Sequence, residues 1–280
     1  MYALALALGS SLCWGVADFI GGVQSRKSPL LGVVLVSQTV GLVGLLVWVA
    51  ARGQPPPDLV RLLPAAGAGL GGVVALACFY RALAIGTMSI VAPISATGVV
   101  VPVIVGLASG DRPAPLQVVG IATAVVGVVL ASREGSGRPA AAAAVRRSIL
   151  LALCAAVGFG TFMVGLRAGA RADVSWALLA ARLSAVVAVG ALAWARGLAP
   201  VSLRAGLRPL AIMGCLDLTA NALYAVASRH GALSIVAVVA SLYPLATVLL
   251  ARVVLGERVR RVQEAGIVAA LTGVALIAAG

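Results

Sequence analysis

Charge is scarce in this chain. Only 10% of its 280 residues are Asp, Glu, Lys or Arg, against about a quarter in an ordinary soluble domain. Acids are rarest: eight Asp and Glu stand against 21 Lys and Arg, a formal charge of +13. Histidine occurs once, as His230, so no H-E-x-x-H metal site can be built. The acids within apolar segments stand alone, which argues against a Mg²⁺-dependent transferase. The four cysteines, Cys13, Cys78, Cys154 and Cys215, lie singly in apolar runs and form no C-x-x-C pair. They read as small hydrophobes, and no metal or cofactor is expected. There is no G-x-x-x-x-G-K-[ST] loop, so ATP does not drive the protein directly. These absences argue against an enzyme.

What is present is apolar: 62% of residues are hydrophobic and the mean hydropathy is +1.12. A bilayer can accept this, because each spanning helix takes roughly 20 mainly apolar residues. The basic residues fall almost entirely in short gaps between apolar runs, where cytoplasmic loops of membrane proteins collect them. Nucleic acid is therefore not an expected partner; the lipid bilayer is. Nearly every basic residue is Arg, with Lys27 the single Lys. With the wealth of Ala, Gly and Val, this points to a GC-rich genome; the expected location is a cell (inner) membrane, multi-pass, of a bacterium.

Apolar runs broken by charge, Pro and Gly predict ten spans, at about residues 2–22, 30–51, 62–84, 88–108, 116–132, 148–167, 174–195, 210–228, 232–251 and 262–279. The first lacks a basic leading region and ends on Gln24-Ser25-Arg26-Lys27, so it does not read as a cleaved signal peptide. Residues 133–147 are polar, Gly- and Ala-rich, and read as a linker between units at 1–132 and 148–280.

The two units resemble each other. Gly86-Thr87-Met88-Ser89-Ile90-Val91-Ala92 aligns with Gly231-Ala232-Leu233-Ser234-Ile235-Val236-Ala237, and Gly110-Asp111-Arg112 with Gly256-Glu257-Arg258. Gln117, Gly120, Ile121, Ala124 and Gly127 match Gln263, Gly266, Ile267, Ala270 and Gly273, and Trp14-Gly15 matches Phe159-Gly160. An odd number of spans per copy makes the second copy enter from the opposite side. The expected fold is all-α: about ten transmembrane helices as two inverted five-helix repeats around a central cavity, the construction of many secondary transporters. One set of alternate loops holds Arg26, Lys27, Arg81, Arg133, Arg138, Arg146, Arg147, Arg196, Arg204, Arg208, Arg258, Arg260 and Arg261. The positive-inside rule places this richer set in the cytoplasm and both termini outside.

Gly231 to Ala237, then Tyr243-Pro244, then Leu255-Gly256-Glu257-Arg258 and a Gly-spaced last helix together resemble the EamA-type repeat of the drug/metabolite transporter superfamily. The first unit carries a degenerate copy with Pro93, Ser109-Gly110-Asp111-Arg112 and Gly120 to Gly127. The resemblance covers nearly the whole chain. It implies a ten-helix bundle with a central cavity and transport of small metabolites, often outward. An uptake carrier for a vitamin or sugar is the alternative; a channel or scaffold is less favoured.

Ionisable residues inside spans are costly and are functional candidates by default. Asp217 lies near the middle of the eighth run, with Asn221, Tyr224 and Ser228 at four, seven and eleven residues on, hence on one helix face. It is expected to bind a substrate amine or a proton, or else to pair structurally with Arg182 of the seventh run. Asp18, with Trp14 and Ser11 on its face, is the second candidate for substrate or proton; Arg182 could instead meet a substrate carboxylate. The fourth and ninth runs correspond and both contain Pro: Pro93 and Pro102 in one, Pro244 in the other. Broken helices at matched positions point to a transport site, which adds Ser95, Thr97, Ser241 and Tyr243. Phe159, Thr161, Phe162, Phe79 and Tyr80 are candidate cavity aromatics. A small-molecule substrate, a coupling proton, and a monomer or homodimer complete the expectations.

Overall fold

A backbone in lipid finds no water for its N–H and C=O groups, so an apolar chain of this length must satisfy them internally, as helix does. In a computed structural model that describes residues 1–131, 139–197, 206–256 and 261–279, the regular structure is helical throughout, with no strand among the described residues. The first repeat contains α1 (Tyr2–Lys27), α2 (Leu30–Arg52), α3 (Leu63–Ile85), α4 (Met88–Ala96), α5 (Val100–Ala108) and α6 (Pro115–Ala131). The second contains α7 (Pro139–Ala170), α8 (Val174–Ala195), α9 (Leu207–His230), α10 (Leu233–Ala240), α11 (Tyr243–Leu255) and α12 (Arg261–Ala279). Eight stretches are long and apolar enough to cross a membrane, two of them built from two α-helices: 88–108 joins α4 to α5, and 233–255 joins α10 to α11.

Both composite spans are interrupted, although not at Pro93, a residue expected to break the chain that instead lies inside the continuous helix α4. Between α4 and α5 the chain tightens into a 3₁₀ turn at Thr97–Val99. Pro102 has no N–H to give to the Gly98 carbonyl one turn back, which loosens the helix there. Between α10 and α11 the break falls at Ser241 and Leu242, with Pro244 in the first turn of α11. Of the segment read as a linker, residues 139–147 are the start of α7, while 132–138 lie outside the described residues. So do Glu257 of the second Gly-acid-Arg turn and Arg133, Arg138, Arg204, Arg258 and Arg260 of the loop tally.

The helices cross on glycines, and the crossings occur in matched pairs. A Cβ on Gly160 of α7 would sit 2.3 Å from the Gly98 carbonyl oxygen; one on Gly15 of α1 would sit 2.5 Å from that of Tyr243. Gly160 corresponds to Gly15, and Gly98 to Tyr243, under the sequence repeat. The first helix of each half therefore lies against the broken helix of the other half. A second pair follows the same pattern: a Cβ on Gly69 (α3) would meet the Ala181 carbonyl oxygen at 2.0 Å, and one on Gly214 (α9) that of Ser37 at 2.5 Å. Small residues permit such backbone contact where side chains would hold the helices apart.

Polar contacts tie the ends. Asp111 Oδ2, in the turn after α5, accepts from the Ser234 backbone N–H (3.1 Å) and hydroxyl (3.0 Å). A first-repeat carboxylate thus meets the N-terminus of second-repeat α10, where unpaired N–H groups favour negative charge. Arg52 at the end of α2 pairs with Asp173 (3.4 Å), whose carboxylate also caps α8 by accepting from Trp176 N–H at 3.0 Å. Tyr2 meets His230 edge-on at 5.6 Å. These three contacts join loops of one alternate set. Arg26, from the other set, donates to the carbonyls of Leu83 and Gly86.

Candidate binding cavity

A cavity of about 750 Å³ of empty space, part of it open to the outside, lies among α1, α2, α3, α7, α8, α9 and α11. Both halves contribute to its walls. Its polar groups are Asp18 and Trp14 of α1, Gln38 of α2, Arg182 of α8, Asp217 and Asn221 of α9, and Tyr243 at the α10–α11 break. Phe159, Phe162, Met163, Leu76 and Leu178 supply apolar wall, and Gly69, Gly72, Ala181 and Ala185 are the small residues of the lining.

Charge in the cavity is organised around Arg182. Its Nη2 is 2.7 Å from Asp217 Oδ2, with side-chain exposures of 6% and 15%, so the pair is largely out of solvent. Arg182 Nη1 donates to Gln38 Oε1. Gln38 and Arg182 occupy corresponding places in the second helix of each half, one residue past the Ser37 and Ala181 carbonyls of the paired glycine contacts. The guanidinium therefore links the two halves close to the line that relates them. A planar, permanently charged fork suits this task better than an ammonium.

Asp18 is held differently. It is 7% exposed, and its carboxyl is hydrogen-bonded to the Tyr80 hydroxyl of α3. The Tyr80 ring lies on Gly21 of α1, where a Cβ would come within 2.6 Å of it. Asn221 Nδ2 donates to the Asp217 carbonyl at 2.6 Å. Its Oδ1 and the Tyr243 hydroxyl are buried without a hydrogen-bond partner among the described residues. Aromatic rings surround these groups: Trp14 contacts Tyr224 (5.8 Å between centroids) and Tyr243 (6.5 Å), and Phe79 contacts Phe159 (5.5 Å) and Tyr243 (6.4 Å).

Eight of the sequence-derived candidates thus line one cavity: Trp14, Asp18, Phe159, Phe162, Arg182, Asp217, Asn221 and Tyr243. Tyr224 stands behind Trp14, its hydroxyl donating to the Met163 carbonyl at 3.2 Å. Ser95 donates to the Val91 carbonyl (3.0 Å) and Thr97 to that of Ile94 (2.7 Å), each back along its own helix. Thr97 and Ser241 face a separate small pocket lined also by Ala124, Val125 and Val238. Thr161 is exposed and bonds its own helix. Gln38 is the polar wall residue that sequence reasoning passed over, although a lone amide inside an apolar run is a visible signal. Met163, Leu178 and the small residues carry none, since an apolar side chain facing a cavity looks like one facing a neighbour.

The comparisons agree with the repeat architecture. No curated protein matches the chain. A solved crystal structure superposes with a TM-score of 0.73 at 17% identity, covering 98% of this chain and 95% of its own, so the two share a fold. The EamA-like transporter family matches twice, over residues 1–133 and 146–279. Two matches in tandem, over helices long and apolar enough to cross a bilayer, show that this chain belongs to the EamA-like transporter family and is a multi-pass membrane transporter of the drug/metabolite type.

Proposed function

We propose that the chain is a secondary transporter that carries a small amine-bearing organic solute outward by alternating access, with the cavity around Arg182 as its binding site. The observation that carries this reading is the pair of unpartnered buried atoms, Asn221 Oδ1 and the Tyr243 hydroxyl, in a cavity that holds one carboxylate more than its single guanidinium. A buried acceptor left unpaired is costly. An ammonium group, all donor and positively charged, satisfies Asn221 Oδ1 and offsets the surplus charge together. Trp14, Phe159 and Phe162 suit the apolar body of such a solute, and rings of this kind also attract cations.

Ten spans fit this reading. To the eight long stretches are added α6 and α12, of 17 and 19 residues, at the short end of the roughly 17–25 that cross a bilayer. They pack on each other, a Cβ on Gly273 falling 2.5 Å from Ala124 N and 2.6 Å from the Gly120 carbonyl oxygen. The matched glycine crossings support an exchange of conformations between inverted halves. The richer basic loop set then faces the cytoplasm, and the natural setting is a bacterial inner membrane. The domain division follows the repeat, one five-span unit on each side of the segment around 133–147.

The test is comparative metabolite profiling of medium from cells producing the wild type or Asn221→Leu at matched membrane levels. Asn221→Leu keeps the side-chain size and removes the amide oxygen. An amine-bearing compound enriched outside by the wild type is expected to fall about tenfold in the variant, as for loss of roughly 1.4 kcal/mol of binding. Equal enrichment by both proteins contradicts the assignment of Asn221, and no enriched compound contradicts export.

A further inference from the structure

The two acids of the cavity are not equivalent. Asp217 is neutralised by Arg182, which is itself held by Gln38. Asp18, more deeply buried, has no cation within ion-pair distance among the described residues, and its hydrogen-bond partner is a neutral phenol. The titratable and charged groups that face it are Tyr80 from α3, Asp217 from α9, Tyr243 from α11 and, beyond Asp217, Arg182 from α8. α2 brings Gln38 to this level and α10 has no titratable residue. An isolated carboxylate at such depth is expensive, and the group removes the cost by taking a proton. An entering ammonium removes it equally well.

We propose that Asp18 is the exchangeable proton site of this cavity. It carries a proton while the cavity is empty and releases it to the aqueous opening when the cationic group of the solute arrives, while Asp217 stays on Arg182 throughout. The exchange is one proton for one positive charge, so the cycle is electroneutral. Tyr80 positions Asp18: its hydroxyl accepts from the protonated acid or donates to the carboxylate. The inference rests on the amine-solute reading of the same cavity.

Infrared spectroscopy of the purified full chain, without solute, titrated with acid and base, tests the proton site. A protonated carboxylic-acid C=O band is expected in the wild type, lost in Asp18→Asn and displaced in frequency in Asp18→Glu. The glutamate variant keeps the test decisive should the asparagine variant fold poorly. A wild type without such a band, or one unchanged in both variants, overturns the assignment. Proteoliposomes loaded with the compound identified by export then test the exchange. One-for-one exchange predicts about a tenfold equilibrium concentration ratio per unit of pH gradient, unchanged when the membrane potential is clamped at different values. A ratio that follows the potential and ignores pH overturns it. A positive infrared result with no solute flux discards the solute reading and the exchange together; flux without the infrared band discards the proton site alone.

Discussion

Asp217→Asn is expected to destabilise the protein by about 3–5 kcal/mol, the scale on which breaking a buried ion pair leaves a charge uncompensated. The variant keeps the shape of the side chain and leaves the Arg182 guanidinium facing a neutral amide. Arginine cannot shed its proton to escape. At 6% exposure it also has little route to water along its own stem. Arg182→Gln is expected to cost less, because the new amide can donate a hydrogen bond to the Asp217 carboxylate. The double variant Asp217→Asn with Arg182→Gln is expected to recover most of the loss, since amides can replace the ion pair by hydrogen bonds, one of them to Gln38. Thermal unfolding in detergent of the four proteins measures the coupling. Additive losses in the double variant would mean that the pair contributes no specific interaction. Because Arg182 bridges corresponding positions of the two halves, the same variants should also widen the distribution of conformations seen by spin-label distances across the halves.

Gly98→Ala is the second large effect. Its added methyl would fall 2.0 Å from the Ala156 carbonyl oxygen, far inside contact distance and against backbone rather than a flexible side chain. The helix break at Thr97–Val99 would have to move away from α7. Overpacking of this kind costs about 1–3 kcal/mol and sometimes more, and the position of a broken helix should be more sensitive than most. Gly67→Ala is the control. It also lies in a helix, but nothing stands within 4 Å of its added Cβ, so the helix-propensity gain of about 0.5–1 kcal/mol should appear unopposed. Melting temperatures that drop for Gly98→Ala and rise slightly for Gly67→Ala meet the expectation. Equal responses would show that the crossing is not tight.

These two positions illustrate what could be read from the chain before its fold. The spans were legible because lipid imposes length and apolarity on every helix that crosses it. The matched interruptions were legible because proline removes a donor whatever surrounds it. The ion pair was legible from cost alone, as Asp217 and Arg182 are charges that apolar helices cannot leave single. Gly98 was not singled out. A glycine in a low-complexity Ala, Gly and Val sequence looks like any other until the crossing helix is in place. The serine and threonine candidates near the breaks behave differently from Asn221 for a similar reason. A hydroxyl can return to its own helix carbonyl, as Ser95 and Thr97 do. The Asn221 amide, with one atom bonded to its own helix, still has an oxygen without a partner.

A single cysteine at Ala185 shows whether the cavity between the halves opens to each side of the membrane in turn. Ala185 lines the cavity and is 4% exposed, and Ala→Cys is a small change there. The native Cys13, Cys78, Cys154 and Cys215, all unpaired, would first be replaced by Ala. Sealed vesicles of each orientation are then treated with a membrane-impermeant thiol reagent, with and without the exported compound. Alternating access predicts labelling from either face, slowed from both by the compound. Labelling from neither face, or from one face alone whatever the compound, would contradict it.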